Sequence, residues 1–292
     1  MSYSWEQTVF SLCMAANAVA DIKACKKETG DTTELTDYMS IALKGGDLAN
    51  ASQDGAFRNW NGGYWKGFFP EQNVILDGGD WTVVWGPSVY VEHAAGTIHP
   101  LGGLATNSMY VAYSKARAAY VVAIAGTNPA NISDWKEEDL NVGEHTTSTW
   151  PPEMPFTPKD HKPYPNSDAL VSGSTAFGIS NLLHQMTDEV TGKSVAEFLG
   201  SVANKNDKIV FTGHSLGGAL SPSLAFYLYP SKETPWSSVE IYPYAGATPG
   251  NQTWLDAFRA TYPDVMDHMN IHDVVPHGWN QIDQIISGRK TA

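Results

Sequence analysis

Hydrophobic and polar positions divide the chain into segments of two different periods. Near the start, Val9, Cys13, Ala16, Val19 and Ala20 recur at helical spacing behind a capping pair, Ser4 and Gln7, and Gly30 ends the segment. Residues 45 to 80 are rich in Gly, Asn and Trp and predict loops with short elements. The stretch "WTVVWGPSVYVEHAAG" predicts β structure, and "SMYVAYSKARAAYVVAIAGT" predicts two strands joined by a turn near Lys115 to Arg117. From Ser174 to Leu199 the pattern is mainly helical. A strand at 208–212, a helix at 216–229, a strand at 239–245, a helix at 252–260 and a strand at 265–271 are expected to follow. Strands alternating with helices favour a mostly parallel central sheet with helices on both faces. No internal repeat is visible.

Between these halves, "NISDWKEEDLNV" (131–142) predicts a short amphipathic helix with Ile132, Trp135 and Leu140 on one side. A proline cluster follows, Pro151, Pro152, Pro155, Pro158, Pro163 and Pro165, which excludes regular structure. Because strand–helix alternation continues on both sides, residues 131–170 form a loop within one domain spanning 1–292 rather than a linker.

Composition narrows the classes. Hydrophobic residues make up 42% and charged residues 17% of 292, enough for a large packed core. No apolar run approaches the roughly 18 residues of a membrane helix, so a soluble chain is expected. Residues 9 to 20 imitate a secretory h-region, but no Lys or Arg precedes them and Glu6 does, so a helix is the better reading. A net charge of −13 argues against nucleic acid or an anionic membrane surface as partner. The two cysteines, Cys13 and Cys25, would lie about 18 Å apart on one continuous helix, too far to pair. The compartment, secreted or cytoplasmic, therefore stays open.

The segment with the most chemistry is "KIVFTGHSLGGAL" (208–220). A strand runs into Gly213-His214-Ser215-Leu216-Gly217, and a helix follows. Gly-x-Ser-x-Gly in that setting is a nucleophile elbow: small neighbours let strand and helix pass closely while the serine is lifted out of the sheet. The helix start also offers backbone N–H groups to developing negative charge.

"VFTGHSLGGAL" resembles the nucleophile segment of the class 3 lipases, the α/β-hydrolase family of fungal triacylglycerol lipases and related esterases. The resemblance spans about residues 105 to 280 and implies an α/β-hydrolase fold with Ser215 as nucleophile. Gly126-Thr127 resembles the family's oxyanion segment, with Ala125 where arginine is usual. It implies that the backbone N–H groups of Thr127 and Leu216 hold the oxyanion. "YAGATPGNQTWLDAF" (244–258) resembles a strand-ending segment that shapes the pocket. "NIHDVVPHGW" (270–279) resembles the family's Asn-x-x-Asp-x-Val-Pro and implies that Asp273 is the triad acid, ahead of Asp256, Asp264 and Asp267.

The resemblance leaves the general base at two positions: His277, four residues after Asp273 and across Pro276, or a histidine beyond residue 292. His214 is expected to pack structurally, and His93 and His99 come too early in the family order. The helix at 131–142 falls where interfacial lipases carry a lid, and the proline-rich stretch after it would make either a hinge or a rigid rim. The implied activity is carboxylic-ester hydrolysis, lipase-like, through an acyl-enzyme, with no cofactor or metal. An esterase for soluble or aromatic (feruloyl-type) esters and an inactive binding protein on the same fold are the alternatives. Small-molecule or lipid esters are the expected partners, with a transient lipid interface and no obligate protein partner.

Overall fold

A computed structural model describes residues 3–19, 33–44, 80–91, 106–126, 147–156, 168–270, 273 and 275–277. Among these residues, five strands form the central sheet: β1 (Thr82–Tyr90), β2 (Asn107–Ser114), β3 (Ala119–Ile124), β6 (Lys208–His214) and β7 (Val239–Tyr244), in that spatial order. β1, β2 and β3 pair antiparallel as a meander. β3, β6 and β7 pair parallel. The parallel half carries the elbow, since its strands all point their C-terminal ends the same way.

Period-two alternation sorts each strand between two apolar layers. Tyr110, Ala112, Val121, Ala123 and Val210 face one layer, filled by helix α1 (Trp5–Ala15) and helix α2 (Thr33–Lys44). Met109, Val111, Val122, Ile124 and Phe211 face the other. There they meet α3 (Gly173–His184), α4 (Val195–Val202), α5 (Leu216–Leu228) and α6 (Gln252–Thr261). Helices thus cover both faces of a sheet that is antiparallel on one side and parallel on the other, which is the α/β-hydrolase architecture.

Local signals hold at several element boundaries. Ser4 and Gln7 make the expected reciprocal capping box. Three regions differ from the expectation. The N-terminal helix ends at Ala15 and tightens into a 3-10 turn, Ala16–Val19, so the single-helix separation of Cys13 and Cys25 does not apply; Cys25 is outside the described residues. Cys13 itself is a buried thiol, and burial pushes its pKa up to about 12. The helical stretch from 174 to 199 is two helices. Asp188 accepts from the Thr191 N–H and hydroxyl, Gly192 takes a left-handed φ of 67°, and Ser194 with Glu197 caps α4 afresh.

Among the described residues of the strand expected at 265–271, pairing reduces to one parallel bridge between Tyr244 and His268. Its cause is the turn at Ala245, with φ of 47°, which takes the chain out of β7 after Tyr244. There His268 N–H donates to the Pro243 carbonyl and its own carbonyl accepts from the Ala245 N–H. The predicted helix at 131–142 lies outside the described residues. Short strands β4 (Thr147–Thr149) and β5 (Leu170–Ser172) pair antiparallel on either side of the proline cluster, and Trp150 stacks on Phe226.

Candidate active site

Everything at the elbow follows from how closely three backbones pass. Ser215 has φ 57° and ψ −121°, a left-handed conformation that an L-residue holds only under constraint. A Cβ on Gly213 would lie 2.1 Å from the Gly217 carbonyl oxygen, so strand and helix can cross only with glycine there. A Cβ on Gly217 would lie 2.3 Å from the Ile124 carbonyl oxygen, which seats the helix against the end of β3. Ser215 N–H donates to the Tyr244 carbonyl at 3.1 Å, and the Ser215 carbonyl accepts from Gly218 N–H at 2.9 Å. The residue is therefore fixed from both sides while its hydroxyl makes no capping bond to the helix it opens. Residues 211–213 are buried, whereas His214, Ser215 and Leu216 are half-exposed, so the turn delivers the serine to the surface.

The Leu216 N–H is the first of α5 and has no acceptor within the helix. It stands beside the nucleophile, in the direction where a helix start favours negative charge. On the other side of the elbow, Gly126 is wedged in. A Cβ there would lie 2.8 Å from the His214 carbonyl oxygen and 3.2 Å from Ser215 Cβ. Gly126 N–H donates to Asn17 Oδ1 at 2.9 Å. Thr127, the next residue, is outside the described residues.

Segment 244–251 borders the site by backbone contact. Gly246 lies against Gly218, and Ala247 N–H reaches the Ser215 carbonyl at 3.4 Å. Thr248 Oγ1 donates to the Pro276 carbonyl at 2.6 Å, tying this segment to the short 3-10 turn Val275–His277. Asn251 Oδ1 accepts from Trp254 N–H to cap α6 and from Leu170 N–H, each at 3.0 Å.

Asp273 stands in a turn rather than at a strand end. Its N–H donates to the Asn270 carbonyl, and its Oδ1 accepts from Val275 N–H at 3.0 Å. Its charge reaches the elbow. Burial lowers the pKa of His214, and the Asp273 carboxylate raises it back part of the way. Asp273 thus acts on the residue beside Ser215 from 58 positions further along the sequence. His277 closes the 3-10 turn, and its side chain is outside the described residues, as are His93 and His99. Of the other acids, Asp256 accepts from Gln252 Nε2 on the exposed side of α6. Sequence reasoning missed Asn17, which no local pattern marks.

A strand–elbow–helix in the parallel half of a sheet covered by helices on both faces defines the α/β-hydrolase fold. The family model for lipase (class 3) matches residues 121–281, more than half of the chain. The chain belongs to the class 3 lipase family. Among solved structures it is similar to M37 lipase, at 27% identity over 96% of this chain and 70% of that one, with a TM-score of 0.63. Lipase II from Rhizopus niveus aligns at 16% identity over 94% of this chain and 75% of that one, with a TM-score of 0.49. The lipase from Rhizopus microsporus var. chinensis aligns at 16% identity over 95% and 70%, with a TM-score of 0.48. No curated protein matches the chain by sequence. Among the described residues, no helix is long and apolar enough to cross a membrane.

Proposed function

We propose that this protein hydrolyses carboxylic esters of lipids, with Ser215 as the nucleophile. The observation that carries the reading is the strained Ser215 backbone at the end of β6, enforced by glycines that no side chain could replace. Strain of this kind costs about 1–3 kcal/mol and persists where the surroundings impose it.

In the reaction, a histidine removes the Ser215 proton as Oγ attacks the ester carbonyl carbon. The oxyanion that forms is held by the N–H groups of Leu216 and Thr127; loss of one such donor raises the barrier by about 3 kcal/mol. Collapse expels the alcohol and leaves an acyl-enzyme, which water attacks in the second half. Asp273 orients and stabilises the imidazolium without taking the proton. His277 is assigned as base on its place in the same turn as Val275, whose N–H holds the Asp273 carboxylate.

Intact-mass analysis after incubation with a fluorophosphonate tests the reading directly. One adduct on the wild type, absent from Ser215→Ala, supports an activated serine, and loss of labelling in His277→Ala supports that base. Absence of any adduct on folded wild-type protein refutes the reading. Rates on short soluble esters against long emulsified ones then separate a lipase from an esterase for soluble substrates.

A further inference from the structure

β3 makes its last sheet bond just past its end, where Ala125 N–H donates to the Ser108 carbonyl at 2.9 Å. The next N–H, that of Gly126, pairs with no strand among the described residues. It is taken instead by a side chain from the other end of the chain: Asn17 Oδ1, at 2.9 Å and 109 residues earlier. Asn17 stands on the 3-10 turn after α1, and its Nδ2 donates back to the Cys13 carbonyl at 3.4 Å. That turn is itself pinned to β2, because Ser108 Oγ donates to the Ala16 carbonyl and Tyr110 Oη to the Leu12 carbonyl, both buried bonds.

Gly126 is therefore clamped. Where its Cβ would be, the His214 carbonyl oxygen, Ser215 Cβ and Asn17 Oδ1 all converge, at 2.8, 3.2 and 3.4 Å. We propose that Asn17 is a positioning residue for ester hydrolysis: it fixes Gly126 against Ser215, and so sets where the oxyanion segment begins relative to the nucleophile. This rests on the hydrolase reading above, in which the residue after Gly126 supplies an oxyanion donor. Donors of this kind must hold their place to about half an ångström to stabilise the transition state. A displacement of about 1 Å costs on the order of 100-fold in rate. The N-terminal helix is thereby a part of the reaction centre's frame, although none of its side chains meets the substrate in this assignment.

The test uses the full chain, with p-nitrophenyl butyrate turnover and fluorophosphonate labelling rate read in parallel. Asn17→Ala is expected to lower kcat about 10- to 100-fold with KM within about twofold, and to slow labelling by the same factor. Asn17→Asp keeps an acceptor for Gly126 N–H and is expected to recover part of both rates. Should Asn17→Ala fail to fold, Asn17→Ser carries the same expectation as the alanine variant, because its hydroxyl ends one bond short of Oδ1. An active wild type whose folded Asn17 variants keep kcat within about twofold overturns the positioning role and leaves the hydrolase reading standing. A wild type that neither labels nor turns over overturns both.

Discussion

A side-chain carbon on Gly246 would sit 2.7 Å from the carbonyl carbon of Gly218, and one on Gly218 would sit 2.5 Å from the Gly246 Cα. Two backbones, one in the first turn of α5 and one just past β7, touch directly at the floor of the elbow. The cost of filling that gap is steric, because the neighbouring atoms are main chain and cannot rotate away. Gly246→Ala is expected to destabilise the fold by about 1–3 kcal/mol and to slow ester turnover by moving α5 against Ser215. Urea midpoints and kcat on the folded variant check the two effects separately.

Ser215 holds its left-handed φ of 57° at a cost that glycine would not meet. Ser215→Gly is expected to raise stability by about 1 kcal/mol while abolishing fluorophosphonate labelling. Ser215→Ala abolishes labelling as well but keeps the strain, and should melt close to the wild type. Thermal midpoints of the three proteins provide the comparison.

His214 has its pKa lowered, first by burial, against a smaller upward pull from the Asp273 carboxylate. The folded protein therefore prefers the neutral imidazole, and the unfolded chain binds the proton first. This contribution to stability is fully present above the unfolded value of 6.5 and is lost as pH falls below it toward the folded value. His214→Gln is expected to flatten the decline in urea midpoint between about pH 7.5 and about pH 5. Asp273→Asn removes the upward pull, and the His214 NMR titration should move to lower pH.

Asn251 holds three partners with one side chain. Its Oδ1 accepts from Trp254 and Leu170 N–H, and its Nδ2 donates to the Asp168 carbonyl at 2.8 Å. Asn251→Ala is expected to cost about 2 kcal/mol, at the upper end for a lost helix cap, because β5 loses a bond along with α6. Asn251→Asp keeps both acceptor bonds and should lose less. Chemical denaturation of both variants is the check.

The strands and the elbow were legible because their determinants are local. Alternation in Met109, Tyr110, Val111 and Ala112 sorts these side chains between two faces whatever the rest of the chain does. Gly213, Ser215 and Gly217 are spaced for a sharp turn within five residues. The break at 185–194 was also written locally, in Asp188, Gly192 and the Ser194–Glu197 capping box, but the helical periodicity on both sides masked it. At 265–271, apolar content suggests a strand, while past the Ala245 turn the described residues bridge β7 at His268 alone.

The amino-acid sequence by itself determined the α/β alternation, the elbow and the family, since each depends on neighbours a few residues apart. Only the tertiary structure decided that Gly218 must meet Gly246, that Asp273 lies close enough to influence His214, and that Asn17 receives the Gly126 N–H. Those contacts join segments separated by tens of residues to more than a hundred. A hydrogen bond or a backbone contact at that range leaves no periodicity in the chain, because its geometry exists only once the sheet has brought both partners to one edge.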